Sequence, residues 1–402
     1  MRQRKVVILG ATGSIGESAQ KVARDIPERM EIVGMSAHSN ADKLQAAAKN
    51  FPAAKLAISS GPDGVERLVE LATLPEADLV LIAIVGTGGL RPALAAIEAG
   101  KDIAVASKEI LVMAGEAVMT AARRKGVKVL PVDSEHNAIF QCLDRRAALP
   151  RAEPRRDAQE RVPNLPGEDV EPDSGTCGSP SLRSDIRRLI LTASGGPFRT
   201  WPAEKLAAVT PEQALKHPTW TMGAKITIDS ATLFNKGLEM IEARWLFDVE
   251  MARVEVIVHP QSIVHSMVEF IDSSVLAQLS TTDMCFPIQY AVTWPERVPN
   301  SLPPLDFAKL ARLDFEAPRI ADFPALSLAR EAGETGGTLP AVLNAANEVA
   351  VAAFLQRRCT FPAIWETVAR VMSEHRSIAG ADLDAILSAD SWARTRATEL
   401  LA

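Results

Sequence analysis

One segment, from His217 to Glu239, concentrates residue types that bind ligands, and it reads HPTWTMGAKITIDSATLFNKGLE. We predict that a helix begins at Ser230 as N-cap and continues through ATLFNKGLEMIEARWLF. The free N–H groups at such a helix start attract anions, phosphate above all. Asn235 and Lys236 precede Glu239 by four and three residues, so all three side chains can point at one ligand. The alternative is an ordinary helix start with a solvated Lys–Glu pair.

A second group of polar residues follows the apolar run Val127–Val132, in VKVLPVDSEHNAIFQ. If the strand continues, Asp133 and Glu135 lie on the same side of it, because side chains alternate along extended chain. Two carboxylates at a strand end can bind a hard divalent cation, and Glu239 would add a third oxygen ligand. The alternative is an acidic strand end followed by a helix cap.

The third pattern is a glycine turn after the short apolar strand Lys5–Leu9. Gly10, Gly13 and Gly16 have the spacing and the strand–turn–helix context of a dinucleotide-binding turn, although a tight βα turn without nucleotide is the alternative. The second strand, 31–37, ends in His38-Ser39-Asn40 without an acidic residue for a ribose hydroxyl. This favours NADP over NAD, with Lys43 near any 2′-phosphate.

These patterns must be positioned by a larger scaffold, which we predict to be α/β. Apolar strands alternate with helices over residues 1–148, which predicts a Rossmann-like, doubly wound parallel sheet. The turn Gly86–Gly89 either lines the cofactor crevice or is a flexible loop. Residues 149–184 are rich in Pro, Arg and acidic residues and predict a flexible insertion. We expect a central α/β catalytic and dimerisation domain at 185–293, a linker at 294–307 and a C-terminal helical bundle at 308–402.

Composition narrows the function classes. The net charge of −6 argues against nucleic-acid binding, and no apolar run is long enough to cross a bilayer. The cysteines Cys142, Cys177, Cys285 and Cys359 show no CxxC spacing, which is typical of a reducing compartment. We therefore expect a cytoplasmic protein without nucleic-acid or membrane partners. His259 and His265 lie in predicted strands and are expected to be packed structural histidines.

The chain resembles the 1-deoxy-D-xylulose 5-phosphate reductoisomerase family from Lys5 to about Phe354. Besides the segment 217–239, the resemblance lies in the blocks GATGSIGES, KEILVMAGE, PVDSEHNAIFQ, LTASGGPFR, EVIVHPQSIVHSMVEF and LNAANEVAVAAFL. It implies a homodimer that rearranges a small sugar phosphate with a divalent cation (Mg²⁺, Mn²⁺ or Co²⁺). NADPH would then reduce the product to 2-C-methyl-D-erythritol 4-phosphate, in the non-mevalonate isoprenoid pathway.

The resemblance also implies roles for individual residues. The metal ligands would be Asp133, Glu135 and Glu239. The substrate phosphate would be held by Ser194, Ser230, Asn235 and Lys236, beside His217. Ser134 and Lys108 would contact the oxygenated carbons, and a loop with Trp220 and Met222 would close over the site. Cofactor contacts would be made by Thr12, Gly13, Ser14, Ile15, Asn40, Ser107, Glu109, Met222 and Gly223. The catalytic group would comprise Lys108, Asp133, Glu135, His217 and Glu239.

The chain departs from the family pattern at three places. Ser107 stands where the family usually has Asn, and His38 and Ser39 stand where it usually has Gly and often a basic residue. The connection between Gln141 and Ile190 is longer than usual.

There are two alternative functions. A plain NADP-dependent dehydrogenase of the semialdehyde or homoserine type leaves the carboxylates unexplained. A non-catalytic nucleotide-binding relative would be expected to have lost a metal ligand or a phosphate contact.

Overall fold

The computed structural model describes residues 3–144, 184–220 and 222–402. Its N-terminal part is a six-stranded parallel sheet in the order β3-β2-β1-β4-β5-β6. The central strands carry unbroken apolar runs such as Val6–Leu9, which are fully buried because helices cover both faces of the sheet. The strands are β1 Arg4–Leu9, β2 Met30–Ala37, β3 Lys55–Ile58, β4 Leu79–Ile82, β5 Asp102–Val105 and β6 Val129–Pro131.

Helices alternate with these strands. They are α1 Ser14–Asp25, α2 Ala41–Ala48, α3 Gly64–Ala72, α4 Leu90–Glu98, α5 Glu109–Lys125 and α6 Ser134–Leu143. The prediction of a doubly wound, Rossmann-like sheet is confirmed. Because all strands run in one direction, their carboxyl ends share one edge, and the polar residues after β1, β5 and β6 are thereby brought together.

The middle of the chain forms a mixed four-stranded sheet in the order β10-β9-β7-β8, in which β7 pairs parallel with β8 and antiparallel with β9. The strands are β7 Ile186–Ala193, β8 Val254–Val258, β9 Val264–Phe270 and β10 Val275–Leu279. The helices are α7 Pro211–Ala214, α8 Ala224–Thr232, α9 Phe234–Phe247 and α10 Cys285–Thr293. His259 has the predicted structural role. It is buried, and Nδ1 contacts the carbonyl oxygen of Asp314 at 2.8 Å.

The C-terminal part is helical, as predicted. Its helices are α11 Phe307–Leu310, α12 Ala325–Thr335, α13 Leu339–Leu355, α14 Ala363–Glu374 and α15 Leu383–Leu400. Helix α13 packs on α12, α14 and α15, and also on α5 and α8. Its own residues are buried on nearly every side, as expected of a helix packed between other elements.

The domain boundaries at 148, 184, 293 and 307 remain predictions, and nearly all of the predicted insertion 149–184 lies outside the described residues. Within the described ranges, no helix combines the length and apolar character that a membrane span requires.

Candidate active site

A cavity of about 680 Å³ lies where the carboxyl edge of the N-terminal sheet faces the central domain. Elements from both sides contribute to its lining. Of the residues predicted from sequence, it is lined by Ser14, Ile15, Ser107, Lys108, Glu109, Asp133, Ser134, Glu135, Ser194, His217, Trp220, Met222, Gly223, Ser230, Asn235 and Lys236. Glu239 lies buried beneath the cavity floor, hydrogen-bonded to side chains that line it. Most of the predicted site residues therefore line one cavity.

The glycine turn lies at one end of this cavity. Gly10 has φ +96°, and a side chain there would collide with the Ala83 carbonyl oxygen at 2.4 Å. A Cβ at Gly16 would lie 2.4 Å from the Gly10 oxygen, so both glycines are required for the close approach of strand and helix. A Cβ at Gly13 would lie at an ordinary 3.6 Å from the Gly10 oxygen, and Gly13 is the N-cap of α1. Free N–H groups at this helix start fit a pyrophosphate, as the dinucleotide prediction requires.

The residues expected around the adenosine end lie at the end of β2. Asn40 caps α2 by accepting from the Lys43 backbone N–H at 3.0 Å. Lys43 Nζ donates to the carbonyl oxygen of Thr12 at 2.8 Å and lies 2.6 Å from Glu17 Oε1. His38 Nδ1 lies 3.3 Å from Ser59 Oγ. Small polar groups and one lysine therefore surround the position expected for a 2′-phosphate.

Two further cofactor candidates lie deeper in the cleft. Ser107 lines the cavity and donates to the carbonyl oxygen of Ile84. Glu109 begins α5 and lies 3.4 Å from Lys225 Nζ. The turn Gly86–Gly89 forms a short 3-10 helix, and Val85 before it lines the cavity.

Three carboxylates meet in the cavity. Oxygens of Asp133, Glu135 and Glu239 all lie within 4.8 Å of one another. Lys108 Nζ lies 2.7 Å from Asp133 Oδ2 and 3.1 Å from Glu239 Oε1. Lys236 Nζ lies 2.7 Å from Glu239 Oε2 and also contacts Glu135.

The strand-alternation argument for Asp133 and Glu135 was wrong, although the two carboxylates do meet. The strand β6 ends at Pro131, Asp133 is the N-cap residue of α6, and Glu135 lies in the first turn of that helix. Proline has no N–H to continue a sheet, and carboxylates are favoured near a helix N-terminus. The two side chains converge because the chain turns into a helix between them.

The electrostatics of this cluster follow from burial. Burial raises the pKa of Glu239 to about 7, although Lys108 and Lys236 counteract it. Burial also opposes charge on Asp133, but the Lys108 ammonium holds the pKa of Asp133 well below its usual range. Three ionised carboxylates against two ammonium groups would leave one negative charge, and a pKa of about 7 at Glu239 reduces that charge near neutral pH. A bound divalent cation would favour the ionised form of Glu239, and the three carboxylates supply the oxygen ligands that a hard metal ion prefers.

Behind the carboxylates lies a pair that sequence reasoning did not assign. His136 Nε2 lies 2.9 Å from the backbone oxygen of Glu239, and Nδ1 lies 3.2 Å from Glu242 Oε2. Burial opposes charge on the ring, yet Glu242 raises the pKa of His136 to about 9. The only sequence signal for His136 is its place in the DSEH block.

Two serines and a histidine form a second group. His217 Nε2 lies 3.0 Å from both Ser194 Oγ and Ser230 Oγ. Its Nδ1 accepts from the backbone N–H groups of Thr219 and Trp220 at 3.2 and 2.9 Å, so the proton of the neutral ring is on Nε2. Burial, and then the charge of Lys236, lower the pKa of His217 to about 4. The neutral ring therefore directs one N–H between two hydroxyl groups, as an anion site requires.

The prediction that Ser230 begins a helix was wrong. Helix α8 already begins at Ala224, and Ser230 lies in its last turn. Helix α8 ends at Thr232, because Leu233 adopts the left-handed conformation with φ +67° before α9 starts at Phe234. The loop residue Gly223 is the N-cap, and no helix start is available at Ser230 to attract an anion.

The turn Ser194-Gly195-Gly196 brings Ser194 to Ser230. Gly195 and Gly196 have φ +81° and +66°, and a Cβ on Gly196 would lie 2.9 Å from the Ala231 Cα. Only glycine allows this turn to pack against the end of α8.

Asn235 and Lys236 contact the carboxylate cluster. Asn235 Oδ1 accepts from Lys108 Nζ at 2.7 Å, and Asn235 Nδ2 donates to Glu239 at 2.5 Å. Lys236 lies between the two groups, since it contacts Glu239 while its charge lowers the pKa of His217. Their assignment to the phosphate stays a prediction.

The loop before α8 covers one side of the cavity. The Trp220 ring lies 6.3 Å from that of His265, which sequence reasoning had treated as structural only, although it lines the cavity. Lys225 and Asp229 also line it and were not assigned a role from sequence. Their spacing of four residues on one helix face was the available signal.

A nucleotide-type turn, an acidic centre and an anion pocket around one cleft define a nicotinamide-dependent enzyme that also uses a divalent cation. Known proteins agree with this class. Residues 6–63 and 60–115 match the family model described as 1-deoxy-D-xylulose 5-phosphate reductoisomerase. Residues 174–247 match the C-terminal domain of the same enzyme, and residues 279–396 match the DXP reductoisomerase C-terminal domain.

Full-length relatives give the same result. A protein of Pseudomonas putida (strain W619), named 1-deoxy-D-xylulose 5-phosphate reductoisomerase, is 45% identical over 99% of this chain and 98% of its own length. The Zymomonas mobilis enzyme in complex with NADPH has a TM-score of 0.84 and 40% identity, covering 100% of this chain and 99% of the other. A DOX-P reductoisomerase in complex with NADPH, fosmidomycin and magnesium has a TM-score of 0.86 and 36% identity, covering 99% and 98%. The chain belongs to the 1-deoxy-D-xylulose 5-phosphate reductoisomerase family.

Proposed function

We propose that this protein converts 1-deoxy-D-xylulose 5-phosphate to 2-C-methyl-D-erythritol 4-phosphate, using NADPH and a divalent cation, in the non-mevalonate isoprenoid pathway. The observation that carries the proposal is the pairing of two groups in one cavity. Asp133, Glu135 and Glu239 converge within 4.8 Å, and Ser194, His217 and Ser230 form an anion pocket beside them. A substrate with vicinal oxygens at one end and a phosphate at the other would place the oxygens at the carboxylates and the phosphate in the anion pocket.

Asp133, Glu135 and Glu239 would hold the cation, which supplies Lewis acidity at the carbonyl and hydroxyl oxygens of the substrate, while NADPH supplies the hydride. Lys108 and Ser134 line the same part of the cavity and can donate to those oxygens. Lys108 is already held by Asp133 and Glu239 at 2.7 and 3.1 Å, so its ammonium group is fixed before substrate binds.

The serine–histidine pocket would bind the phosphate, away from the reacting carbons. Binding energy from this remote group can orient the substrate and favour closure of the loop that carries Trp220 and Met222. Trp220 would help to exclude water. Thr12, Gly13, Ser14 and Ile15 would hold the cofactor at the start of α1, and Met222 and Gly223 would approach it from the loop.

We further propose a cytoplasmic homodimer that also accepts Mn²⁺ or Co²⁺. The family resemblance supports each of these, and the edge strand β10 exposes Val275 and Leu276, which a partner subunit would cover.

The test is a spectrophotometric assay of NADPH oxidation with the deoxyxylulose phosphate, with and without EDTA. We expect turnover that EDTA abolishes and added Mg²⁺ restores. EDTA-resistant reduction of a semialdehyde, without turnover of the sugar phosphate, would indicate a plain dehydrogenase instead.

A further inference from the structure

A row of buried polar contacts connects the C-terminal helix α13 to the cavity. Asn347 Nδ2 donates to Asp229 Oδ1 at 2.9 Å. The other oxygen of Asp229 lies 2.8 Å from Lys225 Nζ, which lies 3.4 Å from Glu109 Oε1. Asp229 and Lys225 belong to α8 and Glu109 begins α5, so the row joins all three parts of the chain.

Fold stability alone does not explain this row. Asn347 and Asp229 are 0% and 1% exposed, and among the residues that the structure describes Asn347 Oδ1 has no hydrogen-bond partner. A buried amide with an unpaired oxygen costs free energy that a leucine would not. Burial opposes the charge of Lys225, but Asp229 and Glu109 outweigh it and raise the pKa of Lys225 above its usual value. The amide is therefore retained for the carboxylate that it holds.

The position of Lys225 gives that contact a consequence at the site. Lys225 is the second residue of α8, directly after the loop with Met222 and Gly223. Glu109, on the opposite wall, immediately follows Lys108. Their contact therefore bridges the cleft at the point where the loop joins its helix.

Helix α13 also reaches the other wall through the next residue. A Cβ built on Gly86 would lie 3.8 Å from Glu348 Oε1, and Arg394 Nη2 holds Glu348 at 2.7 Å. One helix of the C-terminal part thus touches both the turn after β4 and the helix that carries Lys225.

We propose that Asn347 is a positioning residue. Through Asp229 it fixes Lys225 in the bridge to Glu109, and the C-terminal domain thereby sets the width of the cleft on the cofactor side. This inference rests on the proposed function and deepens it. The expected signature is weaker NADPH binding and a lower kcat with an unchanged KM for the sugar phosphate, because Ser194, His217 and Ser230 take no part in the row.

The test compares Asn347→Leu with Thr338→Val. Thr338 is the N-cap residue of the same helix and equally buried, but its hydroxyl lies 2.8 Å from His375 Nε2 and it does not line the cavity. We expect Asn347→Leu to raise the Kd of NADPH, measured by fluorescence titration, by roughly fivefold or more. Thr338→Val should lower Tm and leave the Kd within about twofold. Equal Kd values for the two variants would overturn the proposal.

A double-mutant cycle tests the route through Lys225. If Asn347 acts through Lys225, adding Asn347→Leu to Lys225→Met should have no further effect on NADPH binding, whereas additive effects would contradict that route. Should Asn347→Leu fail to fold, Asp229→Asn keeps an oxygen that can accept from Asn347 but removes the carboxylate that pairs with Lys225. It breaks the row one contact further along, and NADPH binding should weaken while the KM for the sugar phosphate stays unchanged. The titration needs no turnover. An inactive wild type that binds NADPH would contradict the proposed function alone. An active wild type in which Asn347→Leu and Thr338→Val have the same Kd for NADPH would contradict this inference alone.

Discussion

Lys236 Nζ lies 2.7 Å from Glu239 Oε2, one turn away on the same helix. The lysine thus neutralises a carboxylate that would hold a metal ion, while its charge also acts on His217. This double placement makes Lys236 the link between the acidic centre and the serine–histidine pocket.

The Lys236→Ala variant tests that link. We expect the KM for the phosphorylated substrate to rise about tenfold or more, because charge-assisted hydrogen bonds contribute about 1.5–3 kcal/mol each. The Kd of NADPH should stay almost unchanged, and the advantage over the dephosphorylated analogue should shrink. A weaker NADPH affinity with an unchanged KM would place Lys236 in the cofactor site instead.

Metal binding can be measured without turnover, by thermal unfolding. A ligand that binds only the folded protein stabilises it by about 2.7 kcal/mol at a hundredfold excess over Kd. We expect Mg²⁺ to raise the Tm of the wild type and to have little effect on Glu239→Gln. The control is Asp390→Asn, which removes a buried carboxylate of α15 that does not line the cavity. It should keep the response to Mg²⁺, and an equal response in Glu239→Gln would refute the ligand assignment.

The lowered pKa of His217 predicts a pH-dependent stability. The ring titrates near 6.5 in the unfolded chain and near 4 in the folded one. Between these values the unfolded state binds more protons, so stability is lost as pH falls. The free energy of unfolding should therefore fall more steeply from pH 6.5 to 4 in the wild type than in His217→Gln. Parallel curves from denaturant titrations would contradict the shift.

We predict that the preference for NADPH over NADH depends on Lys43. Its Nζ lies 2.6 Å from Glu17 Oε1, so part of its charge is already neutralised. We expect kcat/KM to favour NADPH over NADH, and Lys43→Ala to narrow that ratio by roughly threefold to tenfold. Lys55→Ala, another exposed lysine paired with a glutamate, should leave the ratio unchanged. An NADH preference in the wild type would refute the assignment.

Much of the fold could be predicted from sequence, since alternating apolar strands and helices specify a parallel sheet without knowledge of distant contacts. The same local patterns predicted the glycine turn and the three carboxylates. They failed where the position of a helix boundary decides the direction in which a side chain points. Ser230 looks like an N-cap because serine favours that position, yet it lies in the last turn of α8, which ends before the left-handed Leu233. Asn347 could not have been found, because its contact with Asp229 spans 118 residues.

The left-handed Leu233 has a consequence for how this site can vary. It separates two helices by one residue, with Ser230 just before it and Asn235, Lys236 and Glu239 just after. Each residue of an α-helix turns the side-chain direction by about 100°, so one inserted or deleted residue at this joint would aim the α9 side chains at a different wall. Outward positions of both helices can change in identity while the length between Ser230 and Glu239 stays fixed. In an alignment of homologues, insertions and deletions should therefore be rare between Ser230 and Glu239, even where the residues in this interval differ.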